Sequence, residues 1–262
     1  MTHVFVFDID GTLTEPRQPM TPGMAAFLSD LALRYPVYLV TGSDWPKVLE
    51  QVPTWVRDDI RGIFTCAGAE LWQNDQRVSA REVKFPDALI DTFRTLAAAS
   101  PYPFRFGRHV ERRTGMVNVT VVGRNADEAA RKAYRAFDDA YGERARIVEE
   151  LSAQFPDFSY AVGGDISIDI APAGWTKAQV LPQLLEWHPD TPITFFGDRV
   201  CEGGNDLPLA EALWAMGDGH GAVNVSGPKE TLESLAEILI EGPTDAHAAL
   251  GCPAADPMRW VA

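Results

Sequence analysis

Three short stretches are apolar without interruption: VFVF (4–7), VYLV (37–40) and ITFF (193–196). Each ends on a polar residue. Helix-period segments flank them, near residues 22–34 and 45–52, from Lys177 to Trp187, and from a capped start near Pro228. Unbroken apolar strands alternating with helices predict a parallel sheet covered on both faces. The pattern occurs early and again late in the chain, so the two ends read as halves of one sheet.

Between them the period changes to two. In VNVTVVG, Val117, Val119 and Val121 share a face; in ISIDIA, Ile166, Ile168 and Ile170 do so, while Ser167 and Asp169 point the other way. One clear helix accompanies this antiparallel pattern. The fold class is therefore α/β: a Rossmann-like doubly wound parallel sheet core, residues 1–79 and 176–262, with an inserted α+β cap domain at 80–175. The Ala- and Pro-rich tail from Pro243 is expected to be weakly ordered.

A hydrophobic content of 46% and a charged content of 23% suffice for ordinary buried cores. The formal net charge of -14 repels nucleic acid and anionic membrane, so a phosphorylated partner must be small and met by local arginines. No leader-like segment and no bilayer-length apolar run is present, which predicts a cytoplasmic protein with no membrane association. Cys66, Cys201 and Cys252 are odd in number and widely spaced, and are expected to be reduced; the five histidines are scattered without metal-ligand spacing.

Catalytic groups of a parallel sheet collect at the carboxyl ends of its strands. Asp8 follows the first apolar run, Thr41 the second and Asp198 the third, and Lys177 opens a helix behind Thr176, a candidate N-cap. A carboxylate such as Asp8 can attack phosphorus to give an aspartyl phosphate. Mg²⁺, a hard cation that accepts few carboxylates, suits Asp8, the Asp10 backbone carbonyl and Asp198. Lys177 would offset the negative charge, while Thr41, the Gly42 backbone and Ser43 could donate to a phosphoryl group. Thr41 and Ser43 read equally well as strand-end turn residues. Asp10 could act as general acid and base, with Asn205 and Asp206 as supports.

On these residues the chain resembles the haloacid dehalogenase superfamily. More specifically, GTLTEPRQ (11–18), RTGMVNVTVVGR (113–124), GGDISIDIAPAGWTK (163–177) and FFGDRVCEGGND (195–206) are similar to segments of the eukaryotic-type phosphomannomutase family. The resemblance implies interconversion of hexose 1-phosphate and hexose 6-phosphate, of mannose with glucose as a side substrate. Asp8 would be the nucleophile and Asp10 the acid/base, with a hexose 1,6-bisphosphate as activator. It further implies that Arg17, Arg113, Arg124, Arg131, Ser167 and Asp169 hold the sugar and its distal phosphate, and that the cap forms a homodimer. Without the resemblance, Arg131 would read as part of a solvated helix face. Thr41 departs from the Gly usual in these mutases, CAGA (66–69) replaces an Asn-Gly pair, and LPLAEALWAMG lacks the Asp placed near a second ion, so one Mg²⁺ is implied. The competing expectation is a Mg²⁺-dependent sugar-phosphate phosphatase of the same superfamily.

Overall fold

In a computed structural model, which describes residues 3–163 and 165–241, the chain starts with β1 (Val4–Phe7), α1 (Pro22–Ala32), β2 (Val37–Val40) and α2 (Trp45–Gln51). It continues through α3 (Thr54–Asp59), β3 (Gly62–Thr65), β4 (Glu70–Gln73) and β5 (Gln76–Ala80). Then come α4 (Asp87–Ala99), β6 (Val110–Arg113), β7 (Met116–Thr120), α5 (Glu128–Tyr141), α6 (Glu143–Gln154), β8 (Phe158–Gly163) and β9 (Ser167–Pro172). A 3-10 turn at Lys177–Val180 leads into α7 (Leu181–Trp187), β10 (Ile193–Gly197), α8 (Leu207–Met216), β11 (Gly221–Asn224) and α9 (Pro228–Glu241). The segments up to Ala80 and from Thr176 make one compact unit, and Arg81–Trp175 makes another. The tail from Pro243 lies outside the described residues.

The first unit is built on a sheet of order β11-β10-β1-β2-β3-β4-β5. The pairs from β11 through β3 are parallel. Its apolar runs are continuous because both faces are covered. Phe5, Phe7, Leu39 and Phe196 enter one core with α1, whereas Val4, Val6, Val40 and Phe195 enter another with α7 and α8. Each such side chain, fully removed from water, stabilises by about 1.5–3 kcal/mol. The periodicity does not reveal the antiparallel hairpin of β4 and β5, whose second strand is exposed throughout. Asn74 and Asp75 turn it with φ of 49° and 59°, as a two-residue hairpin with the right twist requires.

Local signals set the helix starts. Thr21 and Asp44 cap α1 and α2 through their side-chain oxygens, with Pro in the first turn of each. Thr176 caps as expected, but the turn it caps is 3-10, and the α-helix begins only at Leu181.

The second unit is an antiparallel sheet of order β6-β7-β9-β8. Val117 pairs with Ile170 and Val119 with Ile168 on its apolar face, and Asn118 pairs with Asp169 and Thr120 with Ser167 on its polar face. Three helices accompany it where the sequence shows one clearly. α5 and α6 are separated by Gly142 alone, at φ 63°, and α4 carries its core residues Leu89, Ile90, Phe93 and Ala97 on one stripe. The expectation of three reduced cysteines is corrected, since Cys201 is disulfide-bonded. Sequence spacing does not report the Cα separation that decides bridging. Among the described residues no helix is long and apolar enough to cross a membrane.

Candidate active site

Asp8 leaves the carboxyl end of β1 with 4% of its surface exposed, and Asp198 follows the end of the adjacent β10. Asp206, at the start of α8, and Lys177, in the 3-10 turn, are both buried beside them. Lys177 Nζ donates to Asp8 Oδ1 and, at 2.6 Å, to Asp206 Oδ1. Asp206 Oδ2 accepts from the Arg199 backbone N–H at 3.0 Å. One carboxylate oxygen from each of Asp8, Asp198 and Asp206 lies within 4.8 Å of the others.

Glycine makes this crowding possible. Gly11 has φ +83°, and a Cβ there would stand 2.4 Å from Asp198 Oδ2. A Cβ on Gly197 would meet Asp206 Oδ2 at 2.6 Å. Both positions therefore admit carboxylates that a side chain would expel.

The electrostatics follow from burial. Desolvation raises the Asp8 carboxyl, opposed by the touching Lys177 and reinforced by Asp206 and Asp198. Desolvation and then Asp206 push Asp198 up to about 6. Burial works against the Lys177 charge, but Asp206 and Asp8 outweigh it and raise its pKa. Three carboxylates facing one ammonium retain excess negative charge, and their hard oxygen donors fit a divalent cation such as Mg²⁺.

Asp10 is turned to a different set of partners. Its Oδ1 accepts from the Arg17 backbone N–H at 2.6 Å and from Gln51 Nε2 at 2.8 Å, and Ser43 Oγ donates to its Oδ2 at 3.4 Å. Thr41 Oγ1 accepts from the Ser43 N–H at 3.0 Å, a contact within the turn that ends β2. Gly42 is exposed. The Arg17 side chain is exposed too, with backbone φ 63°. Asn205 is exposed, whereas Asp206 belongs to the buried ion-pair network.

A second cluster occupies the polar side of the β6-β7-β9 sheet. Glu111 Oε2 accepts from Arg113 at 3.0 Å and from Arg124 at 2.9 Å, and Arg124 also donates to Ser167 Oγ at 3.3 Å. Burial resists the Glu111 charge, yet Arg113 and Arg124 hold its pKa below the usual range. Burial raises Asp169, and the Asn118 amide and the two arginines oppose that rise. Arg131 is not on a merely solvated face: it donates to the backbone carbonyls of Ala126 and Arg124, both at 2.9 Å, and so ties down the segment that presents Arg124.

Thus Asp8, Lys177 and Asp198 come together with Asp206 in the first unit, where Asp10 and Ser43 form a separate contact, and Arg113, Arg124, Arg131, Ser167 and Asp169 come together in the second. Sequence reasoning missed Gln51, Glu111 and Asn118. The strand alternation already placed Asn118 on the face opposite Val117 and Val119; no comparable signal marked Gln51.

The family model of eukaryotic phosphomannomutase matches residues 24–241. The phosphomannomutase of Spinacia oleracea is 31% identical over 246 residues, covering 90% of this chain and 96% of its own. The probable phosphomannomutase of Caenorhabditis elegans is 32% identical over 253 residues, covering 91% and 96%. Among solved structures, a haloacid dehalogenase-like hydrolase from Bacteroides thetaiotaomicron superposes with a TM-score of 0.58 at 13% identity, over 89% of this chain and 92% of that one. That likeness concerns the fold alone. The match to the family model spans most of the sequence, and the chain belongs to the eukaryotic phosphomannomutase family.

Proposed function

We propose that the chain interconverts hexose 1-phosphate and hexose 6-phosphate, with mannose as the principal sugar and glucose as a second. Membership of the phosphomannomutase family carries this reading. The buried Asp8, Lys177, Asp198 and Asp206 constellation supplies chemistry that suits it. Asp8 is the nucleophile. It attacks phosphorus and releases the sugar oxygen, which Asp10 protonates; Asp10 later takes the proton from the hydroxyl that receives the phosphoryl group. Lys177 orients Asp8 and balances its charge. Asp8 and Asp198 would hold Mg²⁺ together with the Asp10 carbonyl, with Asp206, bonded to Lys177 and to the Arg199 N–H, as a support beside them. When bound, that ion supplies charge neutralisation for the transferring phosphoryl oxygens.

Arg113 and Arg124, steadied by Arg131, suit the phosphate that is not reacting, since guanidinium forks recognise phosphate bidentately. Ser167 and Asp169 suit the sugar. Arg17, Thr41, Gly42 and Ser43 complete the phosphate-binding set. Positioning explains why the phosphoryl group passes to a sugar and not to water. A hydroxyl held in line reaches effective molarities of about 10⁵–10⁸ M, against roughly 55 M for water. The intermediate is a hexose 1,6-bisphosphate, which also primes the enzyme. The acting form is a cytoplasmic homodimer joined through the inserted unit.

The deciding assay supplies mannose 1-phosphate and Mg²⁺, with and without glucose 1,6-bisphosphate, and follows mannose 6-phosphate and free phosphate together. Bisphosphate-dependent mannose 6-phosphate is expected. Stoichiometric free phosphate without the bisphosphate would make the protein a sugar-phosphate phosphatase instead.

A further inference from the structure

The chain leaves β3 through Cys66, Ala67 and Gly68, at the same carboxyl edge that delivers Asp8 and Thr41. All three residues have left-handed backbone, with φ of 51°, 56° and 96°. Glycine adopts that conformation freely, but a Cβ makes it costly, so Cys66 and Ala67 hold it only because their surroundings impose it. Two of the contacts that do so come from the end of β2. The Ala67 N–H donates to the Thr41 carbonyl at 2.8 Å, and the Cys66 N–H to the Ser43 carbonyl at 2.9 Å.

A third contact comes from a distant segment of the chain. Gln179 Nε2 donates to the Ala67 carbonyl at 2.6 Å. Gln179 stands two residues beyond Lys177, in the same 3-10 turn. Gly68 lets that turn approach: a Cβ on it would lie 2.7 Å from Val180 Cγ1 and 2.8 Å from Gln179 Cγ. Ala67 therefore links two pieces of the site through its backbone. Its N–H is tied to Thr41, and its carbonyl to the turn whose Lys177 contacts Asp8 and Asp206.

We propose that Gln179 is a positioning residue: with the left-handed turn Cys66–Gly68 it forms a strut that fixes the Lys177 ammonium and the Thr41–Ser43 loop relative to each other. Both are then held ready for the phosphoryl group that Asp8 receives. This use of the strut rests on phosphoryl transfer at Asp8 and is independent of whether a sugar or water accepts the group. A Gln179 that merely packed the turn would add stability and leave kcat of the folded enzyme untouched.

The test compares full-length wild type with Gln179→Met, which keeps an unbranched stem and removes the donor, at a temperature where circular dichroism shows both folded. With Mg²⁺ and glucose 1,6-bisphosphate present, it measures kcat and KM for mannose 1-phosphate, counting mannose 6-phosphate plus free phosphate, and for p-nitrophenyl phosphate. Amide hydrogen exchange at Ala67 is followed in parallel. In the variant the Ala67 amide should exchange about tenfold faster, because its turn has lost one of its ties. For whichever of the two substrates wild type turns over, kcat should fall by about tenfold or more with KM within about threefold, as expected when reacting groups are slightly misplaced and substrate binding is spared. Should that variant fail to fold, Gln179→Glu, of nearly the same shape but without an amide to donate, should show the same losses. Wild-type kcat in a folded variant would overturn the proposal, as would an unchanged exchange rate at Ala67. Free phosphate as the only product from mannose 1-phosphate would overturn the mutase reading while leaving this comparison intact. No turnover of either substrate by wild type would overturn both.

Discussion

Gln51 donates through one nitrogen to Asp10 Oδ1, to Thr14 Oγ1 and to the Gln18 carbonyl, at 2.8, 3.2 and 3.3 Å. It is 2% exposed, so its buried amide fixes Asp10, the residue proposed to transfer protons. Gln51→Leu preserves much of the volume and removes the donor. Because a positioned acid or base contributes about 10²–10⁴-fold, kcat on hexose phosphate should drop by at least about tenfold, with KM within about threefold. Wild-type kcat in this variant would show that Asp10 does not depend on the contact. His3 offers a residue-scale test of stability. Burial and then His220 lower its pKa from 6.5 to about 4. Between those values the unfolded chain carries a proton on His3 that the folded chain lacks, so stability present above pH 6.5 is lost as the pH falls toward 4. In urea titrations across this window His3→Gln should show a shallower decline than wild type. An unchanged slope would contradict the assignment.

At the scale of elements, β9 shows how alternation separates folding from recognition. Ile168 is 1% exposed in the core of the inserted unit, whereas Asp169 faces Asn118 and the arginine cluster. Ile168→Ala should lower the unfolding free energy by about 2–5 kcal/mol, read by urea denaturation. Asp169→Ala should leave the melting temperature near wild type and raise KM for hexose phosphate. Equal effects on stability would mean that the polar row is structural. Alternation of this kind, like the unbroken runs of β1, β2 and β10, was legible in the sequence because burial writes itself directly into side-chain period. The partners of Asp10 and Asp169 were not. Gln51 reaches Asp10 across 41 positions, and Asn118 reaches Asp169 across 51; both pairs are created by packing and register, to which local pattern is blind. The β4-β5 hairpin was hidden for another reason, its second strand having no buried face.

At the scale of the whole molecule, the two units divide the chemistry. The parallel sheet gathers acidic groups around one lysine at its carboxyl edge, and the antiparallel sheet gathers arginines around Glu111. With a net charge of -14, a phosphate is attracted through such local clusters, which suits a small dianionic sugar. In the proposed mechanism a phosphoryl group enters on Asp8 and leaves on a sugar. The most direct measurement supplies hexose 1,6-bisphosphate carrying labelled phosphate, with Mg²⁺ and unlabelled mannose 1-phosphate, and follows the label in wild type and Asp8→Asn. The label should pass through an acid-stable protein adduct into newly formed hexose bisphosphate and monophosphate, and Asp8→Asn should form neither adduct nor product. Label recovered as free phosphate, or sugar labelling retained in Asp8→Asn, would contradict the account.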